Sequence, residues 1–201
     1  MPFAIPMTLI RTHLTLDQYL NYNDGTDTTY ELVDGELVAM TLGMGQHGEI
    51  ADFLNSGFRQ EIKRLGQPWV SKQMVIGIQS PRGSRWDTVR IPDVVVLSTS
   101  QWRQMQNREA IITLNEPPPL LVVEIVSEST RSVDYRAKRS EYSVLDIPEY
   151  WIVDPLKDQV TVLCLCEGFY DETICNLSDI VKSPTFPEFN YTVSQILQGD
   201  F

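Results

Sequence analysis

The chain has 201 residues, 42% of them hydrophobic, and 16 basic against 27 acidic side chains give a net charge of −11. This size predicts one domain over residues 1–201, with a sizeable core at about 30–166. The acidic balance argues against a broad, non-specific grip on nucleic acid, which needs a basic face. A local basic cleft, or a site whose charge a metal offsets, stays compatible with it.

Turn, capping and periodicity signals predict the elements of the first half. Thr15 is a good N-cap for a short helix, and Asp34-Gly35 supplies the two positive-φ positions of a tight turn between strands. From 46 to 65 the apolar residues follow helical spacing. The predicted elements are a helix at 15–20, a hairpin at 30–39, a helix at 46–65, a strand at 69–78, a loop at 81–87 and a strand at 91–97.

The second half continues with helices and strands in alternation. Three prolines at 117–119 cannot donate to a strand ladder, so they predict a rigid lead-in to the next strand. The predicted elements are a helix at 101–110, strands at 120–126, 149–153 and 160–166, a helix at 132–145 and a last helix at 192–197. This order predicts an α/β (α+β) fold, with a central mixed β-sheet flanked by helices and an N-terminal β-hairpin.

The N-terminal segment and the cysteines bear on the compartment. Residues 1–6 lack the basic start and long apolar core of a secretory signal, and no stretch approaches the roughly 20 apolar residues of a membrane span. The cysteines are odd in number and predict reduced thiols in a cytoplasmic protein. Cys164-Leu165-Cys166 lacks His or Cys partners at zinc-site spacing, so a metal role for it is disfavoured.

Each of two apolar runs is interrupted by one carboxylate. Asp93 lies within 91–97, and Glu124 lies within 120–126. If these strands pair antiparallel with their ends matched, Asp93 falls opposite Glu124, with Cβ atoms roughly 4.5–5.5 Å apart. Because two buried carboxylates at that distance repel, a divalent cation between them would turn the repulsion into a binding site. The register itself is an assumption.

Three segments point to a family. Ile91-Pro92-Asp93, Glu124-Ile125-Val126 and a following helix with Lys138 resemble the PD-(D/E)XK nuclease superfamily. YELVDGEL at 30–37, VEIVSEST at 123–130 and IPEYWIVDP at 147–155 resemble its Uma-two type restriction endonucleases. The resemblance implies a restriction endonuclease-like fold. It also implies an endonuclease that hydrolyses DNA phosphodiester bonds with Mg²⁺ or Mn²⁺ as cofactor.

The resemblance assigns metal binding and catalysis to Asp93 and Glu124. In many members of the superfamily a glutamate on the first long helix completes the site, and Glu49 is the candidate here. His47 on the same helix and Glu36 beside the hairpin turn are weaker candidates, since a cap or surface role explains them as well.

One position departs from the superfamily pattern. The superfamily places a lysine two residues after the glutamate, where this chain has Val126. Lys138 is predicted to replace it, because it lies on the helix that directly follows the Glu124 strand. Asp134 and Tyr142 share its helix face at four-residue spacing, so they could orient it. An exposed Asp134–Lys138 pair is the alternative.

Basic residues lie before the Asp93 strand and after the Glu124 strand. If both sets reach one rim they could contact phosphates, and Arg90 and Arg131 are the predicted substrate-binding residues. The expected partners are DNA and a second copy of the chain. A homodimer is expected because two sites related by symmetry are the simplest way to cut both strands of a duplex.

Two other classes of function compete. Val126 at the motif lysine position and the acidic charge favour a catalytically impaired nuclease-fold protein that acts as a binding or regulatory module. A glycosidase would also use two carboxylates, but neither carboxylate strand carries an aromatic residue that could stack on a sugar.

Overall fold

The computed structural model describes residues 13–40, 43–82 and 85–200. The helices are α1 (Leu16–Leu20), α2 (Gly45–Leu65), α3 (Thr99–Gln104), α4 (Arg139–Val144) and α5 (Val193–Gln198), with a π-helical turn, Val133–Lys138, directly before α4. The strands are β1 (Tyr30–Val33), β2 (Glu36–Ala39), β3 (Trp69–Gln73), β4 (Gly77–Arg82), β5 (Arg85–Arg90), β6 (Val94–Ser98), β7 (Ile111–Ile112), β8 (Leu121–Ile125), β9 (Glu149–Asp154), β10 (Gln159–Cys166) and β11 (Phe169–Asn176). Within these described ranges, no helix has the length and apolarity to cross a membrane.

The strands form two mixed sheets. The six-stranded sheet has the order β11-β10-β9-β8-β6-β3, with β8 and β9 parallel. The five-stranded sheet has the order β2-β1-β5-β4-β7, with β4 and β7 parallel. The predicted α/β class, with helices flanking mixed sheet, is confirmed. The predicted hairpin is β1–β2, and its turn uses Asp34 (φ 51°) and Gly35 (φ 78°).

Helix α2 covers one face of the six-stranded sheet. Its apolar stripe is buried against β6, β8 and β9, as the helical spacing predicted. The sheet residues of this core are Val94, Val96, Leu121, Val123, Trp151 and Val153. Phe186, Phe189 and Ile196, from the C-terminal part of the chain, join the same core.

The opposite face of this sheet packs against α4 and the second sheet. Val95, Val122 and Val126 lie in one buried cluster with Tyr142 of α4 and Ile78 of β4. Val126 thus lies on the same face as Val122, four residues earlier, because side chains alternate along a strand. That face also receives Glu124, which places the carboxylate between the sheet and α4.

The region between α2 and β6 differs from the prediction. The single strand predicted at 69–78 is two strands in different sheets, because Met74 adopts φ 52° and turns the chain. The Met74 N–H donates to the Asp93 carbonyl at 3.1 Å, which ties this turn to the start of β6. The loop predicted at 81–87 is wrong as well, since strand structure reaches Arg82 and resumes at Arg85.

Candidate active site

The pairing of β6 with β8 brings the two carboxylates to one end of the sheet. Val94 pairs with Val123 and Val96 with Leu121, which is the register that the sequence analysis assumed. Asp93 directly precedes β6, so the next step along this ladder faces Glu124. Asp93 is 7% exposed and Glu124 is 3% exposed. Two acidic side chains are therefore buried where neighbouring strands meet.

Asp93 is held by one side chain and one backbone group. His47 Nε2, from the first turn of α2, donates to Asp93 Oδ1 at 2.7 Å. The Ile125 N–H at the end of β8 donates to Asp93 Oδ2 at 2.6 Å. The hydrogen bond to Asp93 raises the pKa of His47, against the opposing effect of burial. From the sequence, His47 was a weaker site candidate than Glu49, yet His47 is in direct contact with Asp93.

Glu124 is held by two residues of the segment that follows its strand. The Tyr142 hydroxyl donates to Oε1 at 2.6 Å, and Lys138 Nζ lies 2.7 Å from Oε2. Burial raises the pKa of Glu124 to about 8, although the Lys138 ammonium opposes the rise. The nearby charges of Asp134 and Asp93 raise it further. Glu124 is therefore a buried carboxyl group with a raised proton affinity, and the Lys138 ammonium balances its charge when it is ionised.

Lys138 lies between two carboxylates. Its Nζ is 2.7 Å from Glu124 and 3.0 Å from Asp134 Oδ1, and the side chain is buried. Burial lowers the pKa of Lys138, but the two carboxylates outweigh burial and hold that pKa above its usual range. The ammonium is thus charged. The alternative of an exposed surface pair with Asp134 is excluded.

The carboxylate of Asp134 is buried with few polar contacts. It is 1% exposed, and within the described residues neither of its carboxylate oxygens has a partner in hydrogen-bond geometry, although Oδ1 faces Lys138. A buried carboxylate normally accepts several hydrogen bonds. The Lys138 ammonium is therefore the charge partner of Asp134 in this buried cluster.

A π-helical turn carries both residues. The segment Val133–Lys138 is π-helical, whereas the sequence predicted a regular helix over 132–145. The Tyr150 hydroxyl, from the core strand β9, donates to the Asp134 carbonyl at 3.0 Å and anchors the turn. π-Helical turns are rare and occur often at functional sites. This one directs Asp134 and Lys138 toward the sheet end.

Comparison with known proteins identifies the family. A family model described as "Uma2: Putative restriction endonuclease" matches residues 16–194. The chain belongs to the Uma2 family. A crystal structure of a "putative nuclease belonging to DUF820 from Anabaena variabilis ATCC 29413" has the same fold, with a TM-score of 0.72 and 17% identity over 92% of this chain and 98% of that chain. A comparison with curated proteins found no match.

The structure speaks against Glu49 as a site residue of this Uma2 protein. Glu49 is exposed, and its side chain packs beside Gly199 at the end of α5, where a Cβ would lie 2.6 Å from Glu49 Cγ. Residues two apart on an α-helix point about 200° apart, so His47 and Glu49 cannot both face Asp93. The helix turns His47 toward Asp93, and Glu49 lies outside the cluster.

Arg90 is not presented to a substrate. It is 2% exposed, and its guanidinium donates to Glu141 at 2.8 and 2.9 Å and to Glu31 at 3.2 Å. Burial lowers the pKa of Arg90, but these two carboxylates outweigh it and hold that pKa above the usual range. The predicted substrate contact is replaced by a buried ion-pair network. Arg131, in contrast, is exposed.

Glu31 is the residue that the sequence analysis missed. Besides binding Arg90, its Oε1 accepts the Ile91 N–H at 3.0 Å, two residues before Asp93. Its negative charge also acts on both Glu124 and Lys138. Its place in the family segment YELVDGEL was the available signal. Glu36, on the other side of the turn, is exposed on β2.

The donor set fits a hard divalent cation held by few protein ligands. Among residues 13–40, 43–82 and 85–200, no group of three or more His, Cys, Asp or Glu side chains is arranged to hold a metal. Mg²⁺ commonly uses one or two carboxylates and fills its other positions with water and phosphate oxygens. Asp93 and Glu124 match that pattern of two carboxylates.

Proposed function

We propose that this Uma2 protein is an endonuclease that hydrolyses DNA phosphodiester bonds with Mg²⁺ or Mn²⁺ held by Asp93 and Glu124. The observation that carries the proposal is the meeting of these two carboxylates and the buried ammonium of Lys138 at one sheet end. Carboxylates suit the metal, and an ammonium suits negative charge that grows on a phosphodiester under attack. The family description supports the same reaction.

In this proposal each residue has a distinct role. Asp93 and Glu124 would hold the ion, which would supply Lewis acidity for the attack of water on phosphorus. In the net hydrolysis the water oxygen forms a bond to phosphorus and the bond from phosphorus to one sugar oxygen breaks; one proton of the water ends on that sugar oxygen and the other passes to solvent. Lys138 stabilises the charge on the non-bridging oxygens, and Asp134 gives its ammonium a carboxylate partner besides Glu124. His47 and the Ile125 N–H fix the orientation of Asp93.

A binding or regulatory module with impaired catalysis is the second candidate. The observation in its favour is that every carboxylate oxygen of Asp93 and Glu124 already contacts a protein donor. A cluster satisfied in this way can persist without a metal ion. Val126, buried at the motif lysine position, is also consistent with this candidate.

Plasmid cleavage separates the two candidates. Purified protein is incubated with supercoiled plasmid in Mg²⁺, in Mn²⁺ and in chelator. We expect nicking with either ion, and loss of nicking in chelator and in the Asp93→Asn and Glu124→Gln variants. Glu188→Gln removes an exposed carboxylate on another part of the chain and serves as the matched control. Equal trace activity in wild type and Asp93→Asn would indicate contamination and favour the module.

Assembly and compartment belong to the same proposal. We propose a homodimer in the cytoplasm, since two symmetry-related sites would cut both strands of a duplex. The described cysteines, Cys164, Cys166 and Cys175, form no disulfide, which is consistent with a reducing compartment. Sedimentation equilibrium of the full chain measures the assembly state, and a monomer at the concentrations that support cleavage would contradict the dimer.

A further inference from the structure

An exposed group of basic side chains lies beside the π-helical turn. We call Arg131, Arg136 and Lys157 the basic rim. Together with Glu128, Ser132 and Tyr135 they line one open cavity of about 440 Å³. The cavity lining thus has the three positive charges of the rim and one negative charge, that of Glu128. That is a local excess of positive charge in a chain whose net charge is −11.

The two arginines of the rim have no counter-ion. Within the described residues, neither Arg131 nor Arg136 forms an ion pair or a side-chain hydrogen bond. The described arginines and lysines that do form ion pairs are Arg64, Arg82, Arg90, Arg108, Lys138, Arg139 and Lys157. Both guanidinium groups are therefore available to an anionic ligand at this cavity.

Lys157 is positioned by an aromatic ring and a buried carboxylate. Its Nζ lies 4.5 Å from the centre of the Tyr135 ring and 3.9 Å from the buried Asp154. The Tyr135 hydroxyl donates to Asp154 Oδ2 at 3.0 Å, so the ring is fixed and Asp154 is shared. Lys157 remains exposed, and its ammonium faces the cavity that the arginines line.

The rim lies at the same end of the sheet as the two carboxylates. Strands β8 and β9 run parallel and pair Ile125 with Val153, so Glu124 and Asp154 are both at their carboxyl ends. Tyr135 reaches Asp154 from the same π-helical turn that directs Lys138 to Glu124. One short segment therefore contributes to the carboxylate cluster and to the rim.

We infer that the basic rim binds backbone phosphates of DNA next to the bond placed at Asp93 and Glu124. The identity of the partner rests on the proposed function, because the same end of the sheet would hold the scissile phosphate. Arginine and lysine are the residues that most often contact phosphate, and such contacts position the nucleic acid without reading its sequence. The rim therefore orients the strand and contributes no base preference.

The test measures DNA binding without cleavage. Asp93→Asn protein in chelator is titrated into a labelled duplex of about 20 base pairs, and fluorescence anisotropy follows binding over a range of salt. In that background Arg131→Gln, Arg136→Gln and Lys157→Gln are combined. Each phosphate contact contributes about 0.9 to the slope of log K against log salt, so losing three should reduce the slope by about 2 to 3.

A matched variant controls for total charge. Lys63→Gln, Arg103→Gln and Lys182→Gln, also combined, remove the same charge at exposed positions outside the rim. We expect this control to retain the parent slope. A rim variant in which both arginines become lysine and Lys157 becomes arginine keeps the charge, and it should retain the slope too. Equal slopes in the rim and control glutamine variants, or no measurable binding by the parent, would overturn the inference.

The outcome is distinguishable from failure of the proposed function. Rim-dependent binding by a protein that cuts no plasmid supports the rim and favours the binding module. Plasmid cleavage that survives unchanged in the glutamine rim variant, with the parent slope retained, overturns the rim and leaves the nuclease proposal standing. Circular dichroism and melting temperature confirm that each variant is folded, and all six positions are exposed, so folding should survive.

Discussion

Removing Glu141 from Arg90 should destabilise the protein strongly. The guanidinium of Arg90 donates two hydrogen bonds to Glu141, at 2.8 and 2.9 Å, and both side chains are almost fully buried. Breaking a buried pair from one side costs about 3–5 kcal/mol, because the remaining charge is left without its partner. Since Glu31 still contacts Arg90, we expect Glu141→Gln to fall near 3 kcal/mol, at the lower end of that range.

The assay is urea unfolding with thermal melting beside it. For a chain of this size about 3 kcal/mol corresponds to a fall in melting temperature of roughly 6–12 °C. Glu61→Gln breaks an exposed pair with Arg64 and should change stability by less than about 0.5 kcal/mol. A loss below about 1 kcal/mol in Glu141→Gln would refute the reasoning from burial. Arg90→Met combined with Glu141→Leu should recover most of the stability lost in Glu141→Gln. Because Arg90 is buried in this ion-pair network, the double variant should still bind DNA.

The other predictions concern the site. Lys138→Met should abolish metal-dependent cleavage, and a cleavage rate like that of wild type would remove Lys138 from the mechanism. Mn²⁺ affinity, measured by calorimetry, should rise with pH and level off above about pH 8, because burial raises the pKa of Glu124 to about 8 and the metal must displace its proton; affinity that is flat or falls with pH would contradict this. Glu49→Gln should leave cleavage unchanged whereas His47→Ala should reduce it, and the reverse order would restore Glu49 to the site.

The sequence predicted that Asp93 lies opposite Glu124 because few pairing registers suit the two apolar runs that contain them. Two apolar runs of equal length, each with one acidic interruption, pair with matched ends, and the structure has that register at Val94 and Val123. Lys138 was predictable for a similar reason, since a helix that directly follows a strand folds back over it. The burial of Asp134 was not, because an i,i+4 acid–base pair looks the same whether it is exposed or buried.

The errors have physical causes as well. Met74 follows a strand-like pattern with Val75 and Ile76, so no turn residue announces the break that its positive φ creates. Strand β11 was missed because it is an edge strand in which only Tyr170 and Cys175 are buried, and its alternation is mostly polar. Such elements depend on contacts that local sequence patterns do not contain.

The charged residues depend even more on distant contacts. Arg90 seemed free for a phosphate, but its partner Glu141 lies 51 positions further along the chain. Glu49 and His47 are neighbours on one helix, and which of them faces the sheet end is decided by how α2 packs, with Glu49 against the end of α5. Residue type and spacing predicted helix α2, but only its packing determines that His47, and not Glu49, contacts Asp93.

The position of the lysine explains how one end of the sheet can accommodate this charge cluster. A lysine at Val126 would compete with the apolar cluster that joins the sheet to α4, where Val126 and Tyr142 are buried together. Moving the ammonium to the π-helical turn leaves that packing intact and lets Tyr142 donate to Glu124. On the turn, the ammonium of Lys138 also contacts Asp134, which a lysine at the strand position would not have as a helix neighbour. Lys138 therefore has a second carboxylate partner besides Glu124. Arg136 lies in this wide turn and Arg131 lies two residues before it, and both line the cavity of the basic rim. One local departure from α-helical geometry therefore links the buried cluster to the surface proposed for DNA.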